Sequence, residues 1–266
     1  MNSVMKKILF FMFALSTIVN VFAQEQESVK IDSVPQREIT KAEGDSAFMR
    51  NDYASAIQIY ETLLEKGEAA ALYYNLGNSY FKADNLGKAI VNYERALLLQ
   101  PGNEDIRANL DIVRSKTVDK IDVIPDVFFV SWIKDLRDSE SADGWGKYGI
   151  VFFILFVVAL YFFVFSKKAI LKKSGFICGF LFLMVVVLVN VFASQQKKLF
   201  LNRDKAIVVS PGLTVRNTPS DSGTSLFVLH EGSKVIISDG SMKEWKRIRL
   251  EDGKVGWVPT SDIEII

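Results

Sequence analysis

Nucleophilic, acid–base or metal chemistry needs titratable side chains gathered in one place, and this 266-residue chain holds one cysteine, Cys178, and one histidine, His230. Cys178 lies within an apolar run, so no intrachain disulfide forms, and one cysteine and one histidine far apart supply no cysteine-based or histidine-based metal centre. A Ser/His/Asp set would have to be built on His230, which closes a β-type run just before Glu231-Gly232; that setting reads as a turn-edge histidine. The expectation is a chain with no catalytic residues, no metal and no cofactor. The formal net charge is +1, with acidic residues in excess over 24–123 and near balance over 195–266. Neither half carries the basic surplus of a nucleic-acid binder.

What remains is binding chemistry, and its residues recur at a spacing of 33. Gly44, Ala56 and Tyr60 correspond to Gly77, Ala89 and Tyr93, and Asn51 to Ile57 aligns with Asp84 to Ile90. A fixed period of this length marks stacked helical hairpins. Gly77 and Ala89 are small where paired helices approach, while Tyr80, Tyr93 and Leu97 fall at helical spacing and can fill the space between hairpins. Pro101 stops the last helix of the pair, and Asn103 can cap a third helix carrying Ile106, Leu110 and Val113 on one stripe. That helix reads as a cap on the open end of the array.

The second block, from Tyr73-Tyr74-Asn75-Leu76-Gly77 through Ala89, Tyr93, Ala96 and Pro101, resembles the tetratricopeptide repeat; the first block is more degenerate, with Thr40 and Ala47 where large aromatics are preferred. The resemblance implies a concave face lined by the first helix of each pair. By position its candidate peptide-binding residues are Lys41, Asp45, Phe48, Met49, Tyr74, Asn78, Phe81 and Lys82. A subset of the family grips a C-terminal carboxylate; Lys41 and Asn75 match that pattern, but Asp45 replaces an asparagine and would repel the ligand. Tyr74 and Phe81 have a second reading as part of the core.

These residues hang from two uncharged apolar segments, Tyr148 to Phe165 and Gly175 to Ala193, each about long enough to cross the ~30 Å hydrocarbon layer of a lipid bilayer as a helix. The loop between them carries Lys167, Lys168, Lys172 and Lys173, the pattern of a cytoplasmic turn. No Asp, Glu, Lys, Arg or His interrupts either segment, so the pair reads as an anchor and not an ion path. Asn190 is the one amide in the spans, set either against another helix or in interfacial water. At the N-terminus, Lys6 and Lys7 precede an apolar run ending in Val21-Phe22-Ala23, a secretory signal or an uncleaved anchor. Before the first span, Phe128, Phe129, Trp132, Ile133 and Leu136 share one helical face, which lies either in the headgroup region or beneath the repeats.

From Ala206 the pattern changes to six short β-type runs punctuated by Gly, Pro, Asp and Ser, which predicts a small barrel. Leu213-Thr214-Val215-Arg216 with Pro219, Leu229 and Gly232, Trp245-Lys246-Arg247-Ile248 and Asp252 to Val258 resemble the bacterial Src-homology-3 (SH3) family. That family's members often bind cell-wall peptides or proteins. Arg216, Trp245 and Trp257 are the candidate ligand face, with a core role for either tryptophan as the other reading.

The expected fold is multidomain: an α-helical tetratricopeptide-repeat solenoid, a two-helix transmembrane hairpin and a small all-β SH3-like barrel. The expected divisions are a signal peptide over 1–23, a flexible leader over 24–36, repeats and cap over 37–120, and a juxtamembrane connector over 121–147. They continue as spans over 148–165 and 175–193 about a basic loop at 166–174, a linker over 194–205 and the SH3-type domain over 206–266. This order resembles the BatE-like proteins of the Bacteroides aerotolerance system. The resemblance implies an inner-membrane scaffold with both soluble regions periplasmic, working beside membrane proteins with von Willebrand factor A domains and a cytoplasmic MoxR-type ATPase. The other class of function is an envelope sensor or peptidoglycan-binding module.

Overall fold

Two glycines and two tyrosines set the helix contacts of the first region. The computed structural model describes residues 39–120 and 127–266; the expected signal segment and leader, and connector residues 121–126, lie outside them. Helices α1 (Lys41–Met49) and α2 (Tyr53–Leu64) form one hairpin, and α3 (Ala70–Lys82) and α4 (Leu86–Leu99) the next. A methyl at Gly44 would lie 2.6 Å from Tyr60 Cε1, and one at Gly77 would lie 2.9 Å from the Tyr93 ring. The two hairpins therefore use the same contact, a tyrosine laid across a bare helix backbone. Their turns match as well: Asn51 and Asp84 both take φ of 61°, and Asp52 and Asn85 cap α2 and α4 by accepting from the Ser55 and Lys88 amides. Short polar side chains tolerate this left-handed backbone better than most residues.

Helix α5 (Glu104–Lys116) starts at Asn103, whose side chain accepts from the Asp105 and Ile106 amides, and buries Ile106, Leu110 and Val113 against the stack. Helix α6 (Phe128–Arg137) buries none of its residues. Helices α7 (Ala142–Phe165) and α8 (Ala169–Leu201) form the apolar hairpin, both long and apolar enough to cross a bilayer. Only Ser166–Lys168 separate them, so Lys172 and Lys173 lie on the start of α8. Their backbones come close at Gly175, where a methyl would lie 2.7 Å from both Ala159 O and Phe163 N. Gly179, one turn on, faces Ala159, so small residues four apart let the two backbones meet. Asn190 is exposed and donates to Val186 O of its own helix at 2.8 Å, and a methyl at Gly149 of α7 would lie 3.6 Å from its amide nitrogen.

The C-terminal region has seven strands: β1 (Lys205–Val208), β2 (Gly212–Arg216), β3 (Ser225–His230), β4 (Lys234–Asp239), β5 (Trp245–Arg249), β6 (Val255–Pro259) and β7 (Ile263–Ile265). The last, three residues after a 3-10 turn at Thr260–Asp262, is too short to show an alternating pattern. The strand order is β3-β2-β6-β5-β4-β1-β7, an open antiparallel sheet and not the closed barrel expected. The β7 end does not meet β3, and helix α4 lies against it: Arg95 Nη2 donates to Ile265 O at 2.5 Å and Nη1 to Glu264 at 2.8 Å. A covered edge needs no strand partner. The sheet's own core is Ala206, Val208, Leu213, Val215, Leu229, Val235, Ile248, Leu250, Val258 and Ile263.

Gly256 is held to a hydrogen atom by its neighbours across the sheet. A methyl there would fall 2.3 Å from Val215 Cγ1 and 3.0 Å from Arg216 O, and the second of these is backbone. Gly256→Ala is expected to lower the stability of the full-length protein by about 1–3 kcal/mol, the usual cost of overpacking, measured by denaturant unfolding in detergent with tryptophan fluorescence.

Candidate functional site

The face of the repeats formed by α1 and α3 carries the expected peptide-binding residues, and a polar ladder runs along it. Asp45 accepts from Lys41 Nζ at 2.7 Å, the Tyr60 hydroxyl at 2.7 Å and Asn75 Nδ2 at 2.9 Å. One period later, Asn78 Oδ1 accepts from the Tyr93 hydroxyl at 2.6 Å and from Asn109 Nδ2 at 3.1 Å, while Asn109 also donates to the Tyr74 hydroxyl at 2.9 Å. Partial burial pushes the Asp45 pKa up, but the bonds from Lys41, Tyr60 and Asn75 outweigh it and leave the carboxyl below its ordinary value. Asp45 and Asn78 thus join neighbouring helices. Met49 and Lys82 are exposed at the ends of their helices, and Phe48, Tyr74 and Phe81 are half-buried. Phe48 meets Tyr53 edge-on, and Lys116 of α5 stands 4.8 Å above the Phe81 ring. Asn109 and Lys116 extend this face onto α5; the helical continuation of the array was their signal in the sequence.

On the sheet, alternation places Arg216, Trp245 and Trp257 on the side opposite the buried residues. Trp257 pairs with Arg216 on one side and Arg247 on the other, and Trp245 pairs with Pro259. Both tryptophans are half-buried and neither belongs to the sheet core. Arg216 Nη1 donates to Gly223 O at 2.8 Å, which fixes its guanidinium near the β2–β3 turn. Arg247 and Arg249 share this side by the same period of two, a signal readable from Trp245 onward.

Between these two faces lies a joint that no single segment announces. The sheet packs directly on α4, and Ile207 and Ile266 enter the core of the repeats with Ile90, Val91 and Tyr93. Glu94 of α4, 8% exposed, is paired with Lys234 Nζ of β4 at 2.6 Å and with Arg114 of α5. Burial alone would push its carboxyl pKa up, but the two cations prevail and hold it below the ordinary glutamate range. Around it, Gly87 N donates to Glu231 at 2.7 Å, and Arg203 forks onto Glu68 at 2.8 and 3.0 Å.

Asp119, just past α5, accepts from the His230 amide at 2.6 Å, from Ser233 Oγ, and bonds His230 Nδ1 at 2.8 Å. Burial raises the Asp119 pKa, but these bonds outweigh it and leave a net depression. The serine hydroxyl here goes to the carboxylate and not to the imidazole, which is the order of a latch and not of a nucleophile with its base. Among the described residues no cluster of three or more His, Cys, Asp or Glu could hold a metal ion.

Against known families, residues 70–103 match the Tetratricopeptide repeat and residues 211–264 match the Bacterial SH3 domain. No curated protein matches the chain. The first helical hairpin lies outside the matched stretch, yet it repeats the glycine–tyrosine contact and the capped turn of the second.

Glu94→Ala is expected to destabilise the protein by about 1–3 kcal/mol, because Lys234 and Arg114, which keep part of their contact with water, lose the carboxylate they share; denaturant unfolding measures it. The pH dependence follows from Glu94 and Asp119, whose folded pKa values are depressed. Their contribution is whole above the unfolded carboxylate values and is lost as pH falls through the folded ones, so stability should decline below about pH 4. Hydrogen-exchange protection over residues 204–210 and 86–95, taken relative to the intrinsic rate at each pH, should fall in that range before that of the α7–α8 hairpin does.

Proposed function

We propose that this chain is a non-catalytic, membrane-tethered scaffold that uses one rigid unit, repeats plus sheet, to hold protein partners. The observation that carries the reading is the division of the repeat surface. The α4 side is spent on the sheet, whereas on the α1 and α3 side Met49 and Lys82 are exposed, and Phe48, Tyr74 and Phe81, packed against the core, keep part of their surface in solvent. Tetratricopeptide repeats and bacterial SH3 domains are typically binding modules without catalytic groups, which supports the assignment. The apolar hairpin supplies the tether.

Direct packing of sheet on repeats supports one further element of the proposal. Modules joined by Glu94, Arg95 and Asp119 must lie on the same side of a bilayer, and two spans return the chain to the side from which it started. We place that side outside the cytoplasm on the strength of the lysine-rich turn and the N-terminal apolar run. By resemblance to the BatE-like proteins, the partners on that side are membrane proteins with von Willebrand factor A domains, and the setting is an aerotolerance or envelope-stress complex.

A second reading, binding to peptidoglycan, draws on Trp257 flanked by Arg216 and Arg247 on the outer side of the sheet. An aromatic plane between two cations suits a sugar or peptide carrying carboxylates.

For the scaffold, Tyr74→Ala, Phe81→Ala and Lys82→Glu together should abolish partner cross-linking in native membranes without changing the amount of protein; persistence of every cross-linked product would remove the repeat face from the proposal. For the wall reading, detergent-solubilised full-length protein should sediment with purified wall material at low salt and lose this on Trp257→Ala. The sheet is not tested alone because Ile207 and Ile266 would be bared. For topology, in a Cys178→Ala background, cysteines at Ser46 and Met242 should react with an impermeant maleimide from the same side, and one at Ile170 from the other.

A further inference from the structure

Among the described residues outside the hairpin, the exposed aromatic rings gather on helix α6. Phe128 is 84% exposed, Phe129 62% and Trp132 54%, and the Phe129 and Trp132 rings stand 6.2 Å apart on one side. Exposing three adjacent aromatic rings to water forgoes about 1.5–3 kcal/mol for each side chain left unburied, so something apolar covers them.

The rest of the helix is accounted for. Its C-terminal end is bolted to both arms of the hairpin: Trp145 Nε1 of α7 donates to Arg137 O at 2.8 Å, and Gln196 Nε2 of α8 donates to Arg137 O at 3.0 Å and to Asp138 Oδ1 at 2.8 Å. Ile133 packs on the cluster of Trp145, Val189 and Phe192, where the apolar stretch of α8 ends. The polar side turns to the repeats: Asp135, Asp138 and Ser139 line a crevice with Gly102, Arg107 and Asp111, and a methyl on Gly102 would fall 2.0 Å from Ser139 O. The repeats therefore contact the polar side of α6 and leave the aromatic side open.

We infer that α6 is a membrane-surface helix whose Phe128, Phe129 and Trp132 insert into the acyl–headgroup boundary of the bilayer that α7 and α8 cross. The bolts to Trp145 and Gln196 set it at the depth where the apolar parts of the hairpin begin. Leu136 of α6 shares a recess with Tyr148, Phe152 and Leu188 of the hairpin, which carries the apolar surface on toward the bilayer centre. An amphipathic helix at this level buries its apolar side about 5–10 Å into the boundary, and tryptophan favours that layer. The inference rests on reading α7 and α8 as membrane spans. Its consequence is that the repeat–sheet unit is held at a fixed tilt on the membrane, with the Pro101–Gly102 corner toward the lipid.

The test uses full-length protein in vesicles of phosphatidylethanolamine and phosphatidylglycerol, comparing the native protein with Trp132→Phe. The difference emission, which belongs to Trp132, is expected at short wavelength, quenched by lipids brominated near the glycerol end of the acyl chain and little affected by aqueous acrylamide. Quenching by acrylamide but not by brominated lipid places Trp132 in water and overturns the inference. Protection from both quenchers means that protein covers the helix, and also overturns it. Resistance of the protein to alkaline carbonate checks the span reading separately: release from the vesicles overturns that reading and the inference with it, whereas retention with an acrylamide-accessible Trp132 overturns the inference alone.

Discussion

A single buried carboxylate organises the soluble part of this protein. Glu94 projects from α4 into the seam where repeats, cap and sheet meet, and its two cations come from different elements, Arg114 from α5 and Lys234 from β4. Taking a carboxylate out of water costs several kcal/mol, which only close cations and good geometry offset. The pairing therefore acts as a condition on assembly: the repeats bury Glu94 comfortably only when the sheet supplies Lys234. Ile207 and Ile266 add the apolar half of the same seam, and Gly232, at φ of 89°, lets the β3–β4 turn approach Ile90 and Thr117.

The consequences run outward from that seam. The sheet is open, and its β7 end meets Arg95 of α4 and not another strand. The repeat array, short for a solenoid, gains the sheet as a second neighbour on its α4 side and is capped by α5 after its second hairpin, so that end of the array is covered from within the chain. In the proposed membrane arrangement the two modules also fix each other's side of the bilayer, and the hairpin becomes a tether whose arms are joined near the surface by Trp145, Gln196 and Arg137.

Much of the fold was legible from local patterns. The 33-residue period, the small residues at Gly44 and Gly77 and the Asn103 cap reflect interactions within a few turns of helix, and each is written in adjacent residues. The two apolar helices and the main strands of the sheet follow from hydrophobic length and alternation in the same way. The candidate faces were partly legible. The period of the repeat put Lys41, Asp45, Tyr74, Asn78 and Phe81 on one side, but it did not say that Asp45 and Asn78 would spend their oxygens on Tyr60 and Tyr93. Nor did it separate outward-facing from core tryptophans; the register of β2, β5 and β6 did that.

Sequence alone therefore determined the kinds of modules, their order and the shortage of residues for cysteine or histidine chemistry, because those depend on composition and on periods of two and 3.6. Tertiary structure decided what joins them. Glu94, Lys234, Arg95, Glu264, Asp119 and His230 are ordinary surface residues by every local criterion. They become a joint because chain segments more than a hundred residues apart bury them together, and no local pattern encodes the partner of a charge across that distance.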